Sequence, residues 1–180
     1  WRGRTLVLFN DLGFVFAFLP LCLLGFFLVP AGWRVWLLIF ASFVFYGWSG
    51  LEHAAVLAAG MIWVYALTVT TGVRGNRLRL TLAVLGPIAA LVYYKYANFA
   101  EASIRGILFG GQATNEFSLF DSVLLPAGIS FFTFQLIAFA IDRYRGTVVE
   151  QPPFREVALY VSFFPQLVAG PILRFDQVVE

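Results

Sequence analysis

Charge is what this 180-residue sequence has least of: 12 Lys and Arg with 10 Asp and Glu make up 12% of it, where soluble domains carry about 25%. So few charges do not cover a water-facing surface, and with 61% hydrophobic and 18% aromatic residues the surplus apolar area has to face lipid. The net charge of +2 leaves no footprint for nucleic acid. One cysteine, Cys22, excludes an internal disulfide and reads as a small packing residue in an apolar run. One histidine, His53, has no Cys or carboxylate cluster around it, so no metal site is expected. It stands beside Glu52 in a short turn and reads as a plain loop residue. The P-loop, G-x-G-x-x-G and G-x-S-x-G patterns are missing too, Ser130 lying in AGIS without the second glycine of an elbow.

What the sequence does have is stretches free of charge, but for Lys95 late in the fourth, near the roughly 20 residues a helix needs to cross about 30 Å of hydrocarbon. Five are expected to span: Leu12 to Pro30, Val35 to Gly50, Ala54 to Val73, Leu80 to Asn98 and Leu124 to Ile141. Trp33, Trp36, Tyr46 and Trp48 stand around the second as interfacial anchors do. Between the last two windows Glu101 to Ser122, with Gly110-Gly111 at its centre, reads as an exposed loop. No repeat or low-complexity segment divides the chain, so residues 1–180 form part of one membrane-embedded domain of an all-α, polytopic integral membrane protein. Short-loop arginines set the orientation. Arg34, Arg74, Arg77, Arg79, Arg143 and Arg145 fall on one side, while Arg2, Arg4 and Arg105 on the other are diluted by acidic residues. The amino terminus is therefore expected outside, with the Asp142 to Gly146 turn in the cytoplasm.

A last apolar segment, Phe154 to Leu173, is interrupted by Pro165 and by Gly170-Pro171 and is expected to be broken or re-entrant. Irregular backbone at membrane depth survives only where protein or a water-filled cavity satisfies it, so the break hints at a site, unless the segment lies on the membrane surface. Lys95, among Tyr93, Tyr94, Tyr96 and Asn98, either snorkels to the interface or lines a polar cavity together with Asn98. Ser130, Thr133 and Gln135 fall partly on one helical face, where they either bond between helices or line a site. DRYRG at 142–146 marks where its helix leaves the membrane, its charges free to pair at the headgroups.

Six strings in order, LFNDLGFVFAFLPL, FASFVFYGW, YYKYANF, LPAGISFFTFQ, DRYRG and YVSFFPQLVAGPILR, resemble the membrane-bound O-acyltransferase family over nearly the whole chain. SFFTFQ and FFPQLVAGPI resemble the alginate O-acetyltransferase branch more than the D-alanyl transferases of teichoic acid. The resemblance implies transfer of an acetyl or other acyl group from a cytoplasmic donor, acetyl-CoA or an acyl carrier, to hydroxyls of an extracytoplasmic polysaccharide such as alginate. It also implies the bacterial inner membrane, a periplasmic acetyl-transferring partner, no bound cofactor, and a tunnel leading to a histidine beyond Glu180. His53 matches no motif of the family, so no catalytic residue is expected among residues 1–180, which would be an inactive amino-terminal piece. Lys95, Asn98, Ser130, Gln135, Gln166 and Arg174 are the candidate tunnel-lining residues, with Arg174 facing either donor phosphate or lipid headgroups. The family's opening LFN lies close to the initiator, so translation is expected to begin at Val7 rather than Trp1. A transporter or channel fragment, or a structural scaffold, is the competing reading of a broken segment with a lysine at depth.

Overall fold

The computed structural model describes residues 13–69, 76–109, 126, 128–148, 151–169 and 175. Among these every regular element is helical. A π-helical turn, Phe14–Phe18, leads into α1 (Leu19–Leu28), followed by α2 (Ala31–Ser49), α3 (Leu51–Val69), α4 (Arg77–Phe109), α5 (Ile129–Arg145), α6 (Phe154–Ser162) and α7 (Phe164–Ala169). The π turn has a local cause: Pro20 in the first turn of α1 has no N–H to return, and the Leu19 N–H reaches back to the Phe14 carbonyl instead.

Three of these helices are long and apolar enough to cross a membrane: Ala31–Trp48, Leu51–Val69 and Arg77–Ala97 within α4. The apolar stretch Phe14–Leu28 is shorter, and α5 has 17 residues with Asp142, Arg143 and Arg145 in its last turn. Five spans were expected; among the described residues the first and the fifth are the shorter helices. The fifth also starts later than its apolar run, because α5 begins only after Gly128. A second difference concerns the polar stretch after the fourth window. Its first nine residues, 101–109, continue α4, which at 33 residues is about 50 Å long and outreaches the hydrocarbon layer. Between Pro87 and the Gly110-Gly111 pair the one glycine, Gly106, costs a helix about 1 kcal/mol without ending it, and polarity alone does not end a helix.

α2 and α3 pack together across a one-residue joint at Gly50, whose φ of 147° a side chain would resist. The Leu136 side chain abuts Gly60, and Arg143 donates to the Thr68 carbonyl at 3.4 Å, so α3 and α5 run parallel. α4 antiparallel to both fills the space between them, with the Trp63 indole N–H donating to the Leu82 carbonyl at 3.0 Å. α6 starts near the far end of α3, where Tyr65 stacks edge-on against Phe154 and its hydroxyl donates to the Pro152 carbonyl. It climbs back toward the middle of the bundle. Gly146 and Thr147 close α5 by donating to the Arg143 and Asp142 carbonyls, the paired bonds of a Schellman motif.

The expected interruption of the last segment is present. α6 stops at Ser162, Phe163 turns the chain with ψ of 105°, and α7 starts at Phe164, with Pro165 in its first turn, where a missing N–H costs nothing. The break is held from α2. The Phe164 N–H donates to Ser42 Oγ at 3.3 Å, while the Ser42 hydroxyl donates to the Leu38 carbonyl at 2.8 Å. Phe164 then seats its ring among Phe14, Phe18 and Phe45. Ser42→Ala leaves that buried N–H without a partner and is expected to destabilise the protein by about 1–3 kcal/mol. Thermal unfolding of the detergent-purified protein, with the exposed Ala55→Ser as a neutral reference, measures it.

Candidate functional site

The buried face of α3 is a single stripe, His53, Leu57, Met61, Val64 and Thr68, at the spacing of one helical side. Its middle is apolar and its two ends, His53 and Thr68, are not. The pairing of Gly60 with Leu136 sets Thr133 of α5 level with the turn around Leu57. The Phe164 to Ser42 bond sets the α6–α7 break at the same depth, near the middle of α2 and α3. Ser42, Tyr46, Thr133, Gln135, Ser162 and Gln166 are all buried and occur on the helices that meet there. Tyr46 follows Ser42 by one turn of α2 and shares its buried face.

Among the described residues this layer contains hydroxyls and carboxamides and no charged side chain. Among the described residues the Tyr46 hydroxyl, Thr133 Oγ1, Gln135 Oε1 and Ser162 Oγ are buried without a hydrogen-bond partner, as are both ring nitrogens of His53. Native interiors leave few such groups per hundred residues. Unpaired hydroxyls and amides in the middle of an apolar bundle are what a neutral polar guest, or a file of water, would satisfy.

His53 corrects the sequence reading. It lies in the first turn of α3 rather than in a loop and is 1% exposed, with Nδ1 turned toward the Gly50 joint. Glu52, its neighbour on the helix, is exposed, and that single helical step separates core from surface. Among the described residues no group of three His, Cys, Asp or Glu side chains could hold a metal ion.

The other candidates separate into two sets. Gln135 and Gln166 are buried in the polar layer, and Ser130 is half-buried in the first turn of α5. Lys95 is exposed on α4, its Nζ 5.7 Å from the centre of the Tyr96 ring, away from these buried groups. The Asn98 side chain and Arg174, Gly170 and Pro171 lie outside the described residues. Sequence reasoning passed over Ser42 and Ser162 and took Tyr46 for an interfacial anchor, whereas it is 2% exposed in the core. Ser42 and Tyr46, four residues apart in an otherwise apolar span, were the available signal. The arginines counted at one membrane side also have structural work: Arg143 bonds the Val148 and Thr68 carbonyls, and Arg34 bonds the Val29 carbonyl while lying 5.0 Å over the Phe26 ring.

Among the described residues neither ring nitrogen of His53 has a partner, so its burial there is uncompensated. His53→Leu is expected to leave the protein folded and to raise its unfolding midpoint, by about 1 kcal/mol in stability. Paired thermal unfolding scans check the sign.

No family model and no solved structure matches the chain. Curated relatives do. It is 37% identical to the probable alginate O-acetylase AlgI of Azotobacter vinelandii, over 97% of this chain and 36% of that protein. With the protein of the same name in Pseudomonas aeruginosa it shares 36% identity, over 97% of this chain and 34% of the relative. The peptidoglycan O-acetyltransferase of Helicobacter pylori is 30% identical over 96% of this chain and 38% of its own length. The chain spans about a third of the length of these relatives. Similarity along 97% of the sequence, on an all-helical membrane architecture, places this chain in the family of the alginate O-acetylases, the branch that its SFFTFQ and FFPQLVAGPI strings resemble.

Proposed function

We propose that the whole protein is a membrane-bound O-acetyltransferase, moving an acetyl group from a cytoplasmic donor, acetyl-CoA or an acyl carrier, to hydroxyls of a polysaccharide outside the membrane. The observation that supports it is the 37% identity to an alginate O-acetylase along 97% of the chain. Residues 1–180 supply walls of the path rather than its base. The buried layer at the α6–α7 break is neutral and rich in hydrogen-bonding oxygens. An acetyl ester or thioester is itself uncharged, with a carbonyl to accept hydrogen bonds and no donor. Hydroxyls of Tyr46, Thr133 and Ser162 can donate to such a carbonyl, and Gln135 Oε1 can accept from an incoming sugar hydroxyl. The general base that takes the acceptor proton is a histidine outside these 180 residues, His53 being enclosed at the end of α3.

On this reading the protein lies in the bacterial inner membrane with its amino terminus outside and works with a periplasmic acetyl-transferring partner. Alginate is the first acceptor to test and peptidoglycan the second, since relatives named for each are similar to this chain.

Gln135→Leu in the full-length protein is expected to lower polysaccharide-bound acetate at least tenfold while leaving the unfolding midpoint unchanged or higher. Acetate released by mild base from alginate and from peptidoglycan of the same cells reads both acceptors. Wild-type acetate in both overturns the assignment of Gln135. Absence of acetate from both polymers in cells with the wild-type protein overturns the activity. Orientation is tested separately, by a reporter fused at Asn76: cytoplasmic activity is expected, and periplasmic activity reverses the topology.

A further inference from the structure

One turn of α5 faces two surroundings. Phe132 and Leu136 line a cavity of about 340 Å³ between α3, α4 and α5, within the size range of small-molecule sites. Thr133 and Gln135, on the same turn, belong to the polar layer, and each has an oxygen without a partner among the described residues. Consecutive helical residues stand about 100° apart, so around the helix Phe132 and Leu136 fall between Thr133 and Gln135. Phe132 is 2% exposed and Leu136 fully buried. The two surroundings are one side chain apart.

The cavity is an apolar slot. Gly60 and Trp63 of α3 form one side, and Gly86, Pro87 and Ala90 of α4 the other. Leu136 abuts Gly60, which sets Val56, also on the wall, level with Phe132. From Val56 to Trp63 the slot runs about 10 Å along the axis of α3, the length of an alkyl chain of several carbons. Its far end is built. The Trp63 indole is anchored on the Leu82 carbonyl and lies so close to Gly86 that a Cβ there would run into the ring. Pro87, in the middle of α4, removes one backbone bond beside it.

We propose, resting on the acyltransferase reading above, that Phe132 restricts the transferred group to acetyl and that the slot behind its ring is the space a longer acyl chain needs. An acyl carbonyl held by the hydroxyls of the layer leaves any carbons beyond the methyl among hydroxyls and amides, where they gain nothing. The apolar space bordering this turn is the slot, and the Phe132 ring closes it off. One methylene more or less in a hydrophobic pocket changes discrimination by about 10–200-fold. The chemistry is the same at any chain length: the acyl carbon leaves the donor sulfur for the sugar oxygen, and the hydroxyl proton ends on the departing thiol.

Permeabilised cells carrying the full-length protein test this when supplied with acetyl or butyryl thioesters of coenzyme A and of acyl carrier protein. Acyl groups released from alginate and peptidoglycan by mild base are then identified by mass spectrometry. The wild type is expected to transfer acetyl and to discriminate against butyryl at least tenfold. Phe132→Ala should raise butyryl transfer at least tenfold and keep acetyl transfer, and Phe132→Val provides a smaller cut should the alanine variant not fold. Phe131→Ala, at the exposed neighbouring position, should match the wild type. Adding Ala90→Phe to Phe132→Ala fills the slot from α4 and should remove the butyryl gain. Butyryl transfer by the wild type at the acetyl level overturns the proposal, as does a folded Phe132 variant that transfers acetyl without gaining butyryl. A butyryl gain that survives Ala90→Phe overturns the assignment of the slot. Wild-type cells that transfer no acetyl from either donor overturn the acyltransferase reading itself.

Discussion

Hydrocarbon offers no partner to a backbone amide, and a helix that ends inside a membrane must find one for each N–H it exposes. In this protein the requirement is met at one point by one hydroxyl. Ser42 Oγ accepts from the Phe164 N–H where α6 gives way to α7, and it keeps its own proton on the Leu38 carbonyl. The position of the break follows from that bond. With the break fixed at the depth of Ser42, Phe164 drops into the aromatic cluster of Phe14, Phe18 and Phe45, tying the first helical segment to the last. Ser162 and Gln166, on either side of the break, are buried with it. The polar layer is a consequence of having a helix end at mid-depth.

The second constraint is close packing between helices that share no hydrophobic driving force in lipid. Small residues permit it. Gly60 brings Leu136 of α5 against α3, and Gly86 admits the edge of the Trp63 indole against α4. Trp63 uses its N–H on the Leu82 carbonyl, so a large amphipathic side chain serves both as a spacer and as a bridge. Where α4 carries Pro87 the walls do not meet, and the slot between α3, α4 and α5 is the space left over.

Much of this was legible in the sequence, for reasons that differ from element to element. Helices α2, α3 and the first two thirds of α4 follow from uninterrupted apolar length, which composition alone reveals. The broken last segment follows from Pro165. The end of α4 did not, because residues 101–109 are polar enough to leave the membrane yet able to stay helical, and polarity reports the solvent rather than the backbone. His53 was misread for a related reason. Beside Glu52 it looks like surface, but consecutive residues on a helix point about 100° apart, and at the first turn of α3 that angle separates solvent from core. Within the site, Gln135 and Gln166 were legible as amides in apolar surroundings. Ser42 was not, since its role depends on a backbone N–H far away in sequence, in a helix whose end no local pattern places at that depth.

The parallel pairing of α3 and α5 has an electrostatic consequence. Each helix carries a dipole along its axis, and two dipoles side by side in the same sense repel, most strongly where no water screens them. α4 packs against both in the opposite sense, and α6 touches both while running back from the far end of α3. Every parallel neighbour is thus separated or flanked by an antiparallel one, and the fields of the helices largely cancel across the bundle. The exception is the α6–α7 break, where the carbonyl end of one helix and the amide end of the next meet beside the buried hydroxyls and amides, so the field at the centre comes from those two helix ends.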